Sequence, residues 1–241
     1  VVMGASTARA WPEVFGPSAP VSTPSWSYVG EEGAEHWAEI SQEYSGCKGE
    51  HQSPVDLTGG RPAQYSPLSF RYRSNPLSVL NDGKSVRVDY PPGSYLMAGP
   101  RSFELTGFHF HVPAEHLING VRADMELQLE HRDRRGRVAV VAVLMTAGRR
   151  MNSILSRIWQ HTPGGRDQRF YGRQTGINPL FLLPNDRSYY SYTGSLTEPP
   201  CTEGVDWFVL AQPVEVDSSY IQSFLQTVGT NARPVQPLNG R

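Results

Sequence analysis

The sequence predicts one mostly β domain with a few short helices, and three features carry that prediction. Short apolar runs recur, each closed by Asn, Asp, Gly or Pro: Leu77 to Leu80 before Asn81-Asp82-Gly83, Ser85 to Tyr90 before Pro91-Pro92-Gly93, and Tyr95 to Ala98 before Gly99-Pro100. That spacing indicates hairpins. Apolar and polar residues alternate with a period of two through Phe108 to His111 and Met125 to His131, as in strands with two unlike faces. Val138 to Met145 is continuously apolar, the pattern of a strand buried on both sides.

Taken in order, residues 1–25 are rich in Ala, Pro, Ser and Thr without apolar periodicity and read as an N-terminal arm or tail. Val1-Val2-Met3 and Ala8-Arg9-Ala10 are compatible with the end of an export signal, a flexible arm, or an arm docked on a protein partner. From Trp26 to Arg241 the composition is that of one folded domain, long enough to bury a large core. Trp26, Tyr28 and Trp37 place large rings at its start, before a short helix expected around Glu35 to Tyr44. Ile154 to Trp159 is the other helix candidate, and Ser188 to Leu196 and Val205 to Val214 close the series of strands. A net charge of -1 gives no electrostatic reason for a nucleic-acid partner, and no apolar run has the length of a membrane span. The two cysteines, Cys47 and Cys201, are either buried thiols or one disulfide.

Chemistry concentrates in Gly107-Phe108-His109-Phe110-His111-Val112-Pro113-Ala114-Glu115-His116. On a strand His109 and His111 share one face and Phe108 and Phe110 the other. Two imidazoles aimed into one space suit a transition metal such as zinc, although an H-x-H pair is also common as simple packing.

Over most of the chain from Trp26 onward the sequence resembles the α-class carbonic anhydrases. The resemblance rests on Trp26-Ser27-Tyr28, Gln52-Ser53-Pro54-Val55, Phe108-His109-Phe110-His111, Ala114-Glu115-His116, Ser195 to Pro200, Val205-Asp206-Trp207 and Arg233 to Leu238. It implies a large twisted, mainly antiparallel sheet with a conical pocket, and a Cys47–Cys201 disulfide, hence an oxidising compartment: periplasm, secretory pathway or thylakoid lumen. It also implies zinc held by three histidines and used to activate water for attack on carbon dioxide. His109 and His111 match the first two ligands, and Glu126 matches the carboxylate that orients the third. At the third position stands Gln128. His131, three residues on, faces the other side of a regular strand.

Other positions depart as well. Lys84 stands at the family's proton-shuttle position, and a side chain protonated at neutral pH relays protons poorly. Gly107 replaces a pocket glutamine, Glu130 an apolar residue and Glu198 a small hydroxyl residue. Thr197 and Glu115 match the pair that orients the attacking hydroxide, while Val140, Leu196, Val205 and Trp207 match the apolar lining. Lys84 is expected to reach Glu198 or Glu130, because buried carboxylates need a cation. The expectation from these residues together is a carbonic anhydrase-like protein with weakly bound zinc or none. It would be inactive or nearly so and retained as a structural or interaction subunit. The alternative is an active enzyme with a His109/His111/Gln128 zinc site, which alone would make carbon dioxide and bicarbonate its ligands.

Overall fold

The computed structural model describes residues 24–60 and 66–241. The possible signal remnant and nearly all of the expected arm lie outside the described residues. In chain order the strands are β1 (Asp56–Leu57), β2 (Leu68–Arg71), β3 (Asn75–Asn81), β4 (Val86–Asp89), β5 (Tyr95–Ala98), β6 (Arg101–His111), β7 (Leu117–Ile118), β8 (Val121–Arg122), β9 (Met125–Arg132), β10 (Val138–Gly148), β11 (Gln168–Ile177), β12 (Tyr189–Ser195) and β13 (Glu203–Asp217). The helices are α1 (Trp37–Ile40), α2 (Ser153–His161) and α3 (Ser218–Thr227).

Ten strands form one large sheet whose main path runs β11-β3-β4-β6-β9-β10-β13-β12, with β2 and β5 attached beside β6. Every pairing in it is antiparallel except β10 with β13. The run around Val138 fills the centre: Ala139 to Met145 are all buried, as a strand covered on both faces must be.

The hairpin reading holds at two of three turns. Asn81-Asp82-Gly83 joins β3 to β4, with Asp82 Oδ1 accepting from the Lys84 and Ser85 N–H groups and Gly83 at positive φ. Gly99-Pro100 joins β5 to β6. Pro91-Pro92-Gly93 does not make a hairpin; β4 and β5 instead pair with different halves of the long strand β6. The helix expected from Glu35 to Tyr44 is interrupted at Ser41, whose backbone is extended and whose hydroxyl caps the 3-10 turn that follows. Helix α2 begins at Asn152, which accepts from the Ile154 and Leu155 N–H groups, and buries Ile154, Leu155 and Ile158. The short strands β1, β2, β7 and β8 escaped the sequence reading, and so did two longer elements. Strand β11 is a polar edge strand with no apolar run, and α3 shows only the short pattern Tyr220, Ile221, Phe224 behind its Asp217 cap.

Alternation divides the sheet. On one face Leu77, Val79, Val88, Phe108, Phe110, Leu127, Leu129, Val141 and Val143 join the main core with residues of α2 and α3. On the other, Val140, Ala142, Trp207 and Val209 form a second apolar cluster, and it is on this face that the histidines lie. Register sets the site: His109 is opposite Gln128, His111 opposite Glu126, Gly107 opposite Glu130 and Arg87 opposite His109. His131 lies on the core face, as expected, stacked on Tyr72 with its Nε2 2.7 Å from the Tyr72 hydroxyl.

Candidate metal centre and cavity

A cavity of about 150 Å³ opens over this face, lined by Arg87, His109, Gln128, Glu130, Val140, Leu196, Thr197, Glu198, Pro199 and Trp207. Val205 packs behind it with Val140 and Trp207. Gly107 borders an adjoining cavity, which Arg87, His109 and Glu130 also line.

The two histidines are buried, with ring centroids 4.9 Å apart. His111 Nδ1 lies 2.8 Å from the Asn231 carbonyl oxygen, which can only accept, so the proton sits on Nδ1. His109 Nδ1 lies 3.1 Å from Glu130 Oε1, a carboxylate that favours the proton on the same atom. Each ring therefore turns an Nε2 lone pair inward. Both Nε2 atoms are buried, and neither has a hydrogen-bond partner among the described residues. Two buried lone pairs facing one space without a donor are costly unless a cation joins them.

Gln128 is committed differently. Its amide nitrogen donates to Glu115 Oε2 at 2.8 Å and to Glu126 Oε1 at 2.9 Å. Both partners are acceptors, so the nitrogen is fixed on that side and only the carbonyl oxygen is left to offer a cation. Glu126 also accepts from the Glu115 and His116 N–H groups and from His116 Nδ1. Burial pushes its carboxyl up, but His116 more than offsets that and brings it to about 2. Glu115 Oε1 accepts from the Arg233 N–H at 2.8 Å. No hydrogen bond joins Thr197 to Glu115 among the described residues; Gln128 has taken that carboxylate oxygen.

The cation expected beside the cavity carboxylates is present, but it is Arg87 and not Lys84. Lys84 Nζ stands 4.7 Å over the Trp26 ring, held by cation–π attraction. Arg87 bonds Glu198 and Asp82 and lies 3.8 Å from Glu130. Burial pushes the guanidinium down; Glu198, Asp82 and Glu130 outweigh it and hold the charge. The Glu198 carboxyl is likewise raised by burial but brought to about 2, chiefly by Arg87. Its other oxygen accepts from the Tyr28 hydroxyl at 3.1 Å. Arg87 went unread because the motif stops at Lys84. The signal was there: Val86 and Val88 face the core, which puts Arg87 on the side of the histidines.

Gly107 is a glycine for a local reason. A Cβ there would lie 2.8 Å from the Val88 carbonyl oxygen, so this backbone admits no side chain. A pocket glutamine cannot be supplied from 107, and Glu130, directly opposite, contacts His109 Nδ1 in its stead. Gly107 and Glu130 thus sit side by side at one point of the cavity wall.

An extended mixed sheet with a two-histidine floor defines a metal-site fold, and the comparisons give it a family. The model of the eukaryotic-type carbonic anhydrase family matches residues 32–241. The carbonic anhydrase of Nostoc sp. is 40% identical over 231 residues, covering 92% of this chain and 86% of that protein. The solved α-carbonic anhydrase of Thermovibrio ammonificans, in complex with sulfanilamide, superposes with a TM-score of 0.88 at 38% identity, covering 91% of this chain and 98% of that one. Dioscorin complexed with ascorbate superposes with a TM-score of 0.82 at 31% identity, covering 89% and 95%. The chain belongs to the α-carbonic anhydrase family.

Cys47 and Cys201 are paired in a disulfide, as the resemblance implied. Such bonds persist in oxidising compartments. No helix among the described residues is long and apolar enough to cross a membrane.

Proposed function

We propose that this protein is a metal-dependent carbonic anhydrase that interconverts carbon dioxide and bicarbonate on a zinc centre built on His109 and His111. The single observation that carries this is the pair of buried, partnerless Nε2 atoms. Their tautomers are set by Asn231 and Glu130, an arrangement that leaves both inward-facing lone pairs free to bind a cation. The sequence reading leaned towards an inactive structural subunit. The relatives named above, two of them carbonic anhydrases, lend that reading no support. Glu130 beside His109 supports the metal-binding reading by favouring the proton on Nδ1.

Zinc with an open coordination position supplies the Lewis acidity that activates water at neutral pH. The chain's own residues do the rest. His109 and His111 bind through Nε2, while Val140, Leu196 and Trp207 offer carbon dioxide an apolar wall. Glu130, Glu198 and Arg87 add charged groups to the same cavity, and Lys84 is stacked on Trp26 rather than directed at it. Turnover below that of a three-histidine relative is expected.

Metal content of the purified protein, measured by mass spectrometry after dialysis against micromolar zinc, tests the proposal together with carbon dioxide hydration. Expected are near-stoichiometric zinc and hydration that His109→Ala abolishes. Wild-type protein that takes up no zinc would overturn it.

A further inference from the structure

The geometry points to Glu198, rather than Gln128, as the third protein ligand of the metal, with Arg87 acting as the latch that holds Glu198 until metal arrives. This rests on the zinc reading above and goes beyond it by naming the donor set. Among the described residues, one group of three His, Cys, Asp or Glu side chains brings its ligand atoms within 4.8 Å of one another: His109, His111 and Glu198. Two of the three contribute the buried, partnerless nitrogens. A carboxylate is an ordinary zinc donor, and two histidines with one glutamate form a recognised catalytic set that leaves a fourth position open. Gln128 is the poorer candidate. Its nitrogen is anchored between Glu115 and Glu126, and its carbonyl oxygen is a neutral donor.

Charge agrees with the assignment. Arg87 is shared by Asp82, Glu130 and Glu198, three carboxylates on one guanidinium, an excess of two negative charges. A divalent cation cancels that excess. Glu198 can leave Arg87 for a metal ion because Asp82 and Glu130 remain to hold the guanidinium. Tyr28, which donates to Glu198 Oε1, steadies the carboxylate from the other side.

Zinc affinity by competition with a chromogenic chelator, and the visible spectrum of the cobalt(II)-substituted protein, test this on the wild type, H109A, E198Q and R87M. E198Q keeps shape and hydrogen bonding, and thermal melting verifies its fold. The wild type is expected to bind both metals and H109A to lose them. E198Q should bind zinc at least tenfold more weakly with an altered cobalt spectrum, while R87M, its latch removed, binds more tightly with the wild-type spectrum. A loss smaller than tenfold in E198Q, or a cobalt spectrum superimposable on the wild type, overturns Glu198 as ligand and leaves the zinc reading intact. A wild type that binds neither zinc nor cobalt overturns the zinc reading itself.

Discussion

Gln128 is bound to matter for folding whether or not metal is present, and Gln128→Leu measures how much. The leucine removes two hydrogen bonds at once, from the amide nitrogen to Glu115 and to Glu126, both fully buried carboxylates. A hydrogen bond to a charged group contributes about 1.5 to 3 kcal/mol, so the pair amounts to about 3 to 6 kcal/mol. Glu126 is the better protected of the two, since three donors remain to it. Glu115 keeps the Arg233 N–H, with His111 Nδ1 at 3.5 Å, so most of the loss falls on Glu115. For a domain of this size about 1 kcal/mol shifts Tm by roughly 2 to 4 °C, which puts the expected fall near 10 °C. Urea unfolding followed by tryptophan fluorescence, in EDTA with the disulfide intact, reads the apo stability directly. If Q128L stays within about 1 kcal/mol of the wild type in that assay, the bridging amide contributes nothing and the account of this cluster fails.

Gln128→His should raise zinc affinity by at least tenfold, since a third imidazole joins two that are already oriented; chelator competition showing no gain would mean that the strand does not bring residue 128 to the metal. Reducing Cys47–Cys201, or replacing both with serine, should cost about 5 kcal/mol on the chain-entropy model, because the bond spans 154 residues; unfolding free energies equal with and without reductant would refute it. A further prediction concerns acid. Burial lowers the His131 imidazole from 6.5 to about 4, so between those values the unfolded chain takes up a proton that the folded one refuses. Stability is therefore full above about pH 6.5 and falls as pH drops toward 4, by about 3 kcal/mol at 1.36 kcal/mol per unit. His131→Gln should flatten that stretch of the stability curve, and an unchanged slope would rule out His131 as its source.

How far the site could be read from sequence depended on whether its logic was local. His109 and His111 follow from two-residue alternation, and the same alternation put His131 on the far face and made the run around Val138 a central strand. The disulfide needed the family resemblance, because no local pattern links Cys47 to Cys201. The cation was misassigned to Lys84, the residue at a family position. The choice between Lys84 and Arg87 is made by side-chain direction: Lys84 ends over Trp26, a residue 58 positions away in sequence, whereas Arg87 lies opposite His109 in register.

The sequence by itself determined the central strands and the two imidazoles on one face, since each depends on residue type and a period of two, and the family resemblance marked Gln128 as an amide where a third imidazole was expected. The tertiary structure alone decided what those substitutions mean. Register joined Gly107 to Glu130, so that an apparent loss in the cavity wall became an acceptor beside His109. Folding brought Arg87 and Glu130, on two different strands, together with Asp82 and Glu198, on two loops, into one charged cluster. Electrostatic partnership depends on distance in space, falling off over a few ångströms, and the linear order of residues does not carry that distance.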